Sequence, residues 1–188
     1  MTITSIGIIG AGTMGNGIAQ VAASAGYDVV LLDVSDAALE KGLAALSNSL
    51  DRLIKKEVMN AEQKSQTLAR IKTTTHYADL AQVSLVIEAA TENQAIKESI
   101  LQQVNQVVSK DAIIASNTSS ISITHLGSRN SRPERFIGIH FFNPPPLMAL
   151  IEVIMGKQTS PETLKAVLAM ATRMGKEPIT VQSSPGFV

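Results

Sequence analysis

Apolar residues follow two alternating patterns along the chain. Short runs with almost no polar interruption, at Ile6–Ile9, Val83–Ala90, Ala112–Ala115 and Phe136–Phe142, suit strands buried on both faces, and Asp28–Asp33 has the same character. Between them, apolar positions recur every three or four residues. Met14, Ile18, Val21, Ala22 and Ala25 make one face of a helix that stops at Gly26. Ser35 and Asp36 open a second helix, in which Leu39, Leu43, Leu46, Leu50 and Leu53 share a face and predict a run to about Met59. Asn60 with Gln63 has the form of a capping box for a shorter helix to about Arg70. A β-like run, Ile71–Thr75, comes next. Ile96, Ile100, Val104 and Val107 predict a helix with those side chains inward. The polar stretch Ser116–Ser120 leads into a short polar turn, Leu150–Met155 is a further strand, and Ser160-Pro161-Glu162 starts a helix that ends at Gly175. Ile179–Val181 reads as a last short strand.

The junction of the first strand and helix carries Gly10-x-Gly12-x-x-Gly15. Gly10 permits a tight turn, Gly12 lets backbone approach a pyrophosphate, and Gly15 lets the helix lie close on the strand. The free N–H groups and positive dipole end of that helix then suit phosphate. Asp33 ends the second strand, eighteen residues after Gly15, where a carboxylate accepts hydrogen bonds from an adenosine ribose. It would repel a 2′-phosphate, and Val34 and Ser35 supply no arginine to neutralise one, so the expected cofactor is NAD and not NADP. Another βαβ turn without a dinucleotide is the alternative. Strands alternating with helices predict an α/β, Rossmann-like, doubly wound and mostly parallel sheet, with a helical pair inserted at about 35–70.

With 188 residues there is room for one substantial α/β core and not for two full domains. Sixteen basic and sixteen acidic residues leave no broad cationic surface for nucleic acid. The absence of cysteine excludes a disulfide framework, a thiolate metal site and a cysteine nucleophile. His76, His125 and His140 show no ligand spacing, so no metal is expected. No apolar run approaches the ~20 residues that span a bilayer, and the first strand begins too early to leave room for a signal peptide. A cytoplasmic protein is the expectation.

His140 lies near the end of an apolar strand, before Asn143 and three prolines. It is either a hydrogen-bonded core histidine or a base. Glu152 is the only charge in Leu150–Ile154, and a buried carboxylate needs a partner. If the two strands neighbour, Glu152 binds one imidazole nitrogen and leaves the other free; otherwise Glu152 points to solvent from an edge. The Ser116–Ser120 cluster either orients a ligand or satisfies loop backbone. Without a G-x-S-x-G elbow, a serine nucleophile is not expected.

Four segments taken together, Gly10–Gln20, Glu88-Ala-Ala-Thr-Glu-Asn93, Ser116-Asn-Thr-Ser-Ser120 and His140-Phe-Phe-Asn-Pro144, resemble the 3-hydroxyacyl-CoA dehydrogenase family, as does the closing Ser184-Pro-Gly-Phe-Val188. The resemblance runs over essentially the whole chain, and is nearest to the short-chain 3-hydroxybutyryl-CoA dehydrogenases. It implies NAD-dependent, reversible oxidation of an L-3-hydroxyacyl-CoA to the 3-ketoacyl-CoA. By resemblance His140 is the catalytic base, Glu152 orients it, and Ser119 contacts the substrate oxygen. Gly10, Gly12, Thr13, Met14, Gly15 and Asp33, with Glu92, Lys97, Ser119 and Asn143, would form the NAD site. Ser49 and Lys56, together with Ser119, would contact the acyl-CoA. Seven residues apart, Ser49 and Lys56 share a helical face. Relatives continue past Val188 into an asparagine that completes the site and a helical domain that closes the cleft and dimerises, so residues 1–188 are expected to hold NAD but turn substrate over poorly. A non-catalytic NAD-binding module, a crystallin-like structural relative and a dehydrogenase of a free hydroxy acid are the alternatives.

Overall fold

A computed structural model describes residues 2–184. In chain order the elements are β1 (Ser5–Ile9), α1 (Thr13–Ser24), β2 (Asp28–Leu32), α2 (Asp36–Lys55), α3 (Ala61–Ala69), β3 (Ile71–Thr74), β4 (Leu85–Glu88), α4 (Gln94–Val107), β5 (Ile113–Ser116), α5 (Ile123–Ser128), β6 (Phe136–Phe141), β7 (Leu150–Met155), α6 (Pro161–Arg173) and β8 (Glu177–Gln182). Short 3₁₀ turns at Tyr77–Leu80 and Pro133–Arg135 complete them. All eight strands join one sheet in the order β3-β2-β1-β4-β5-β6-β7-β8. Strands β1 to β6 are parallel, β7 runs antiparallel to β6, and β8 lies parallel to β7. The architecture is the doubly wound, Rossmann-like α/β sheet that the alternating patterns predict.

Successive strand residues point to opposite faces, so each strand feeds two cores. Leu85 and Ile87, Ile113 and Ala115, Ile137, Ile139 and Phe141, and Ile151 and Val153 pack against α1, α2 and α6. Val86, Ile114, Phe136 and Ile154 pack on the other side against α4 and α5. The same parity sends Glu88, Ser116, His140 and Glu152 to the α4–α5 side. Four polar side chains on four strands therefore share one face.

Helix boundaries follow their capping chemistry. Ser35 accepts from the Ala38 amide, and Asn60 and Gln63 form both halves of the capping box. Helix α2 stops at Lys55, short of Met59, because Glu57 takes a left-handed φ of 58°. The amides of Glu57 and Val58 then bond back to Ile54 and Leu53, a turn usually built on glycine. Helix α5, capped by Ser122, occupies what the sequence suggests is a polar turn. The inward face of α4 also differs from expectation: Ile96 is exposed, while Lys97, Ile100, Leu101 and Val104 are buried. Lys97 occupies the core because Glu88 is there to receive it.

Candidate active site

In an open parallel sheet, ligands bind beyond the carboxyl ends of the strands, where the chain order reverses direction. Here that point lies between β1 and β4. Gly10 follows β1 with φ +102°, and a side chain there would strike the backbone of Ala89 and Ala90. A side chain on Gly15 would collide with the Gly10 carbonyl. Those two glycines are required by the fold. Gly12 is different: among the described residues nothing lies within 4 Å of the Cβ it lacks. Its bareness serves no protein contact and leaves backbone open to a ligand at the start of α1. Thr13, beside it, opens that helix, and Met14 packs part-buried on the core.

Asp33 closes the cradle. Its Oδ2 accepts from the Ala11 amide at 2.6 Å and its Oδ1 from the Val34 amide at 2.7 Å, fixing the carboxylate beside the glycine loop. Each carboxylate oxygen has a further lone pair for a ribose hydroxyl. The open Gly12 backbone, the helix N-terminus and this anchored carboxylate together fit a dinucleotide.

The next carboxylates come from the β4 end. Glu88 is fully buried; its Oε2 receives Lys97 Nζ at 2.6 Å and Ser116 Oγ at 2.7 Å, and its Oε1 the Ala90 amide at 2.9 Å. Lys97, which the family resemblance assigns to the NAD site, is bonded here to Glu88. The lysine has no exposed surface and its ammonium is committed to Glu88. Its charge also acts on Glu92. Burial raises the Glu92 carboxyl, but the Ser119 amide, the Thr118 hydroxyl, the Lys97 charge and the Ser119 hydroxyl outweigh burial and hold it below its ordinary value. The bonds are 2.7 Å from Thr118 Oγ1, 2.7 Å from Ser119 N and 3.1 Å from Ser119 Oγ. Ser119 and Glu92 are thus brought together at the mouth of the crevice.

At the far end of the same face, β6 and β7 set His140 opposite Glu152 in cross-strand register. His140 Nδ1 lies 2.6 Å from Glu152 Oε2. Glu152 is nearly buried, whereas the imidazole keeps 18% of its surface open. With Nδ1 donating to the carboxylate, Nε2 is the acceptor of a neutral imidazole. The Phe142 ring, with its centroid 4.6 Å away, restricts the imidazole on one side. Asn117 ties this end to β5, its Oδ1 accepting the Phe141 amide at 2.9 Å. Of the two readings left open for Glu152, the buried partner is the one found.

A cleft of about 460 Å³ runs from the start of α1 along α2 to the proline loop after β6. Thr13, Ser49, Lys56 and Asn143 all line it, so residues far apart in sequence meet there. Arg52 lines it too and was not foreseen, although its position between Ser49 and Lys56 on the same helix signals it. Asn117 had no signal beyond its place in a polar cluster. The Lys97–Glu88 pair had one: a charge inside an apolar strand. Among the described residues no group of three or more His, Cys, Asp or Glu is arranged to hold a metal ion, and no helix is long and apolar enough to cross a membrane.

Residues 5–184 match the family model described as "3-hydroxyacyl-CoA dehydrogenase, NAD binding domain". The chain belongs to that family. It is an NAD-binding domain of the 3-hydroxyacyl-CoA dehydrogenases, an oxidoreductase family. It is similar to the 3-hydroxybutyryl-CoA dehydrogenase of Bradyrhizobium diazoefficiens, with 46% identity over 99% of this chain and 64% of that protein. The fatty acid oxidation complex subunit alpha of a Psychrobacter species is 42% identical over 99% of this chain and 26% of its own length. Among solved structures, (S)-3-hydroxybutyryl-CoA dehydrogenase PaaH1 from Ralstonia eutropha superposes with a TM-score of 0.98 at 57% identity, covering all of this chain and 66% of that one. The chain thus spans just under two thirds of the length of these dehydrogenases. The last part of the closing segment that resembles the family, residues 185–188, lies outside the described residues.

Proposed function

We propose that this domain serves NAD-dependent oxidation of an L-3-hydroxyacyl-CoA, short-chain as in 3-hydroxybutyryl-CoA, to the 3-ketoacyl-CoA, and the reverse. The observation that carries the reading is the His140–Glu152 pair, its imidazole part-exposed and on the same sheet face as Glu88 and Ser116. NAD, when bound, supplies the acceptor for the hydride that leaves C3.

The residues supply the rest. His140 Nε2 takes the proton of the C3 hydroxyl, and Glu152 holds the ring in the required tautomer and stabilises the imidazolium that forms. Positioned general bases of this kind contribute about 10²–10⁴ in rate. The Ser119 hydroxyl turns from Glu92 to the substrate oxygen, and Glu92 and Asn143 border the nicotinamide half of the cofactor. Ser49 and Lys56 hold the CoA portion along α2, where Lys56 adds positive charge beside Arg52.

The test is NADH formation from 3-hydroxybutyryl-CoA by the full-length enzyme that carries this domain, with and without His140→Gln. A fall in kcat of ~10²–10⁴ with little change in KM is expected for loss of the base. An unchanged kcat with a raised KM would make His140 a binding residue. Equal turnover of free 3-hydroxybutyrate would place the substrate outside the CoA esters.

A further inference from the structure

The loop after β6, residues 142–149, forms one wall of the cleft through Asn143 and Pro144–Leu147. Its backbone is held by a cation. Lys176, between α6 and β8, donates from Nζ to the carbonyl of Pro145 at 2.6 Å and to that of Met148 at 2.7 Å. The amide of Glu177, next in the chain, donates to the Ala149 carbonyl. Within the loop, the Pro144 carbonyl takes the amides of Leu147 and Met148. Pro145 is also pressed from the opposite side. Its ring lies so close to Gly17 of α1 that a Cβ there would stand 2.8 Å from Pro145 Cδ.

The wall is therefore gripped between the dinucleotide-binding helix and one ammonium group. That ammonium is part-buried, and burial lowers the lysine's pKa, with no carboxylate among the described residues to offset it. Partly desolvating a cation without a counter-ion is costly, and the two short charge-assisted bonds are what offset it. A loop needing only closure is served by water or a neutral donor at less cost. A charge aimed at two carbonyls three residues apart instead fixes where the whole segment sits.

We propose that Lys176 is a positioning residue for substrate binding: by bridging the Pro145 and Met148 carbonyls it holds the proline wall at the distance from Ser49, Arg52 and Lys56 that an acyl-CoA requires. This rests on the acyl-CoA reading above. The cofactor cradle, built from Gly10–Gly15 and Asp33, does not depend on it.

The experiment measures NAD and acetoacetyl-CoA affinity by calorimetry, and amide exchange at Leu147 and Met148, for the protein and for Lys176→Met, Lys176→Gln and Lys176→Arg. Lys176→Met should weaken NAD, which meets this loop only through Asn143, far less than it weakens acetoacetyl-CoA, should speed exchange at both amides, and should weaken acetoacetyl-CoA by roughly 10-fold or more, the scale of one lost charged hydrogen bond. Lys176→Arg, which keeps the charge and reaches both carbonyls, should recover most of that loss. Should the Met variant fail to fold, Lys176→Gln, which retains neutral donors, carries the same comparison. Acetoacetyl-CoA affinity equal to that of the unsubstituted protein, with the loop amides exchanging faster, overturns the positioning role alone. Failure of the unsubstituted protein to bind acetoacetyl-CoA overturns the substrate reading, and this proposal with it.

Discussion

Replacing Lys97 by methionine isolates the energetics of the buried pair on which the site stands. Met keeps much of the side chain's length and apolar stem but removes the ammonium 2.6 Å from Glu88 Oε2, where neither side chain is exposed. Breaking a buried pair by deleting one partner costs ~3–5 kcal/mol, because the other charge is left uncompensated. Glu88 still receives Ser116 Oγ and the Ala90 amide, so the lower end, about 3 kcal/mol, is expected. For a chain of this size that corresponds to a fall in Tm of roughly 6–12 °C. The double variant Glu88→Leu, Lys97→Met removes both charges and leaves only the Ser116 hydroxyl and Ala90 amide without their acceptor, roughly 2 kcal/mol in all. If each single change costs about 3 kcal/mol, additivity gives about 6, and the coupling is about 4 kcal/mol. Urea unfolding of the four proteins measures it. A Lys97→Met cost below about 1 kcal/mol, or a double variant as unstable as the sum, would refute the view that Lys97 is in the core to compensate Glu88.

Two other outcomes concern the cofactor side. Asp33→Asn should weaken NAD by ~1.5–3 kcal/mol, the worth of hydrogen bonds to a charged group, and narrow the gap to NADP; unchanged affinity in calorimetry would remove Asp33 from the ribose. Glu92 has a folded pKa below its ordinary 4.5. The unfolded chain therefore binds the extra proton first, so this group's stabilisation is full above that ordinary value and is lost as pH falls through the lowered one. Glu92→Gln should flatten stability against pH in that acidic window, and an unaltered slope in acid titration would contradict the hydrogen-bonded anion at Ser119.

Much of this was readable in one dimension because period and punctuation agree. The glycine loop, the Asn60–Gln63 box and the apolar strand runs each specify local geometry by residue type alone. The pairing of His140 with Glu152 was legible only as a conditional, since cross-strand register depends on which strands neighbour. The end of α2 was not legible, because Glu57 adopts a left-handed turn that nothing in its type announces. The face of α4 departs from its apolar spacing for a more instructive reason. Apolar spacing favoured Ile96 over Lys97, but an unpaired carboxylate in the neighbouring strand outweighs the burial of one isoleucine, and the helix turns its lysine inward. Arg52 and Lys176 were missed because exposed or half-exposed cations on helices and at strand starts look alike until the opposite wall is in place.

The antiparallel turn between β6 and β7 has a consequence for how such a protein diversifies. His140 and Glu152 are cross-strand neighbours, with Phe141 and Ile151 the last pair before the chain departs into residues 142–149. The geometry of the imidazole–carboxylate pair is thus sealed by strand pairing on one side of Phe141, while the cleft wall is shaped on the other side, in a segment clasped through its carbonyls and prolines. Beyond Phe142, whose ring packs on the imidazole, a change in that segment leaves the register of the pair intact. A single hairpin separates what fixes the paired side chains from what shapes the cleft beside them.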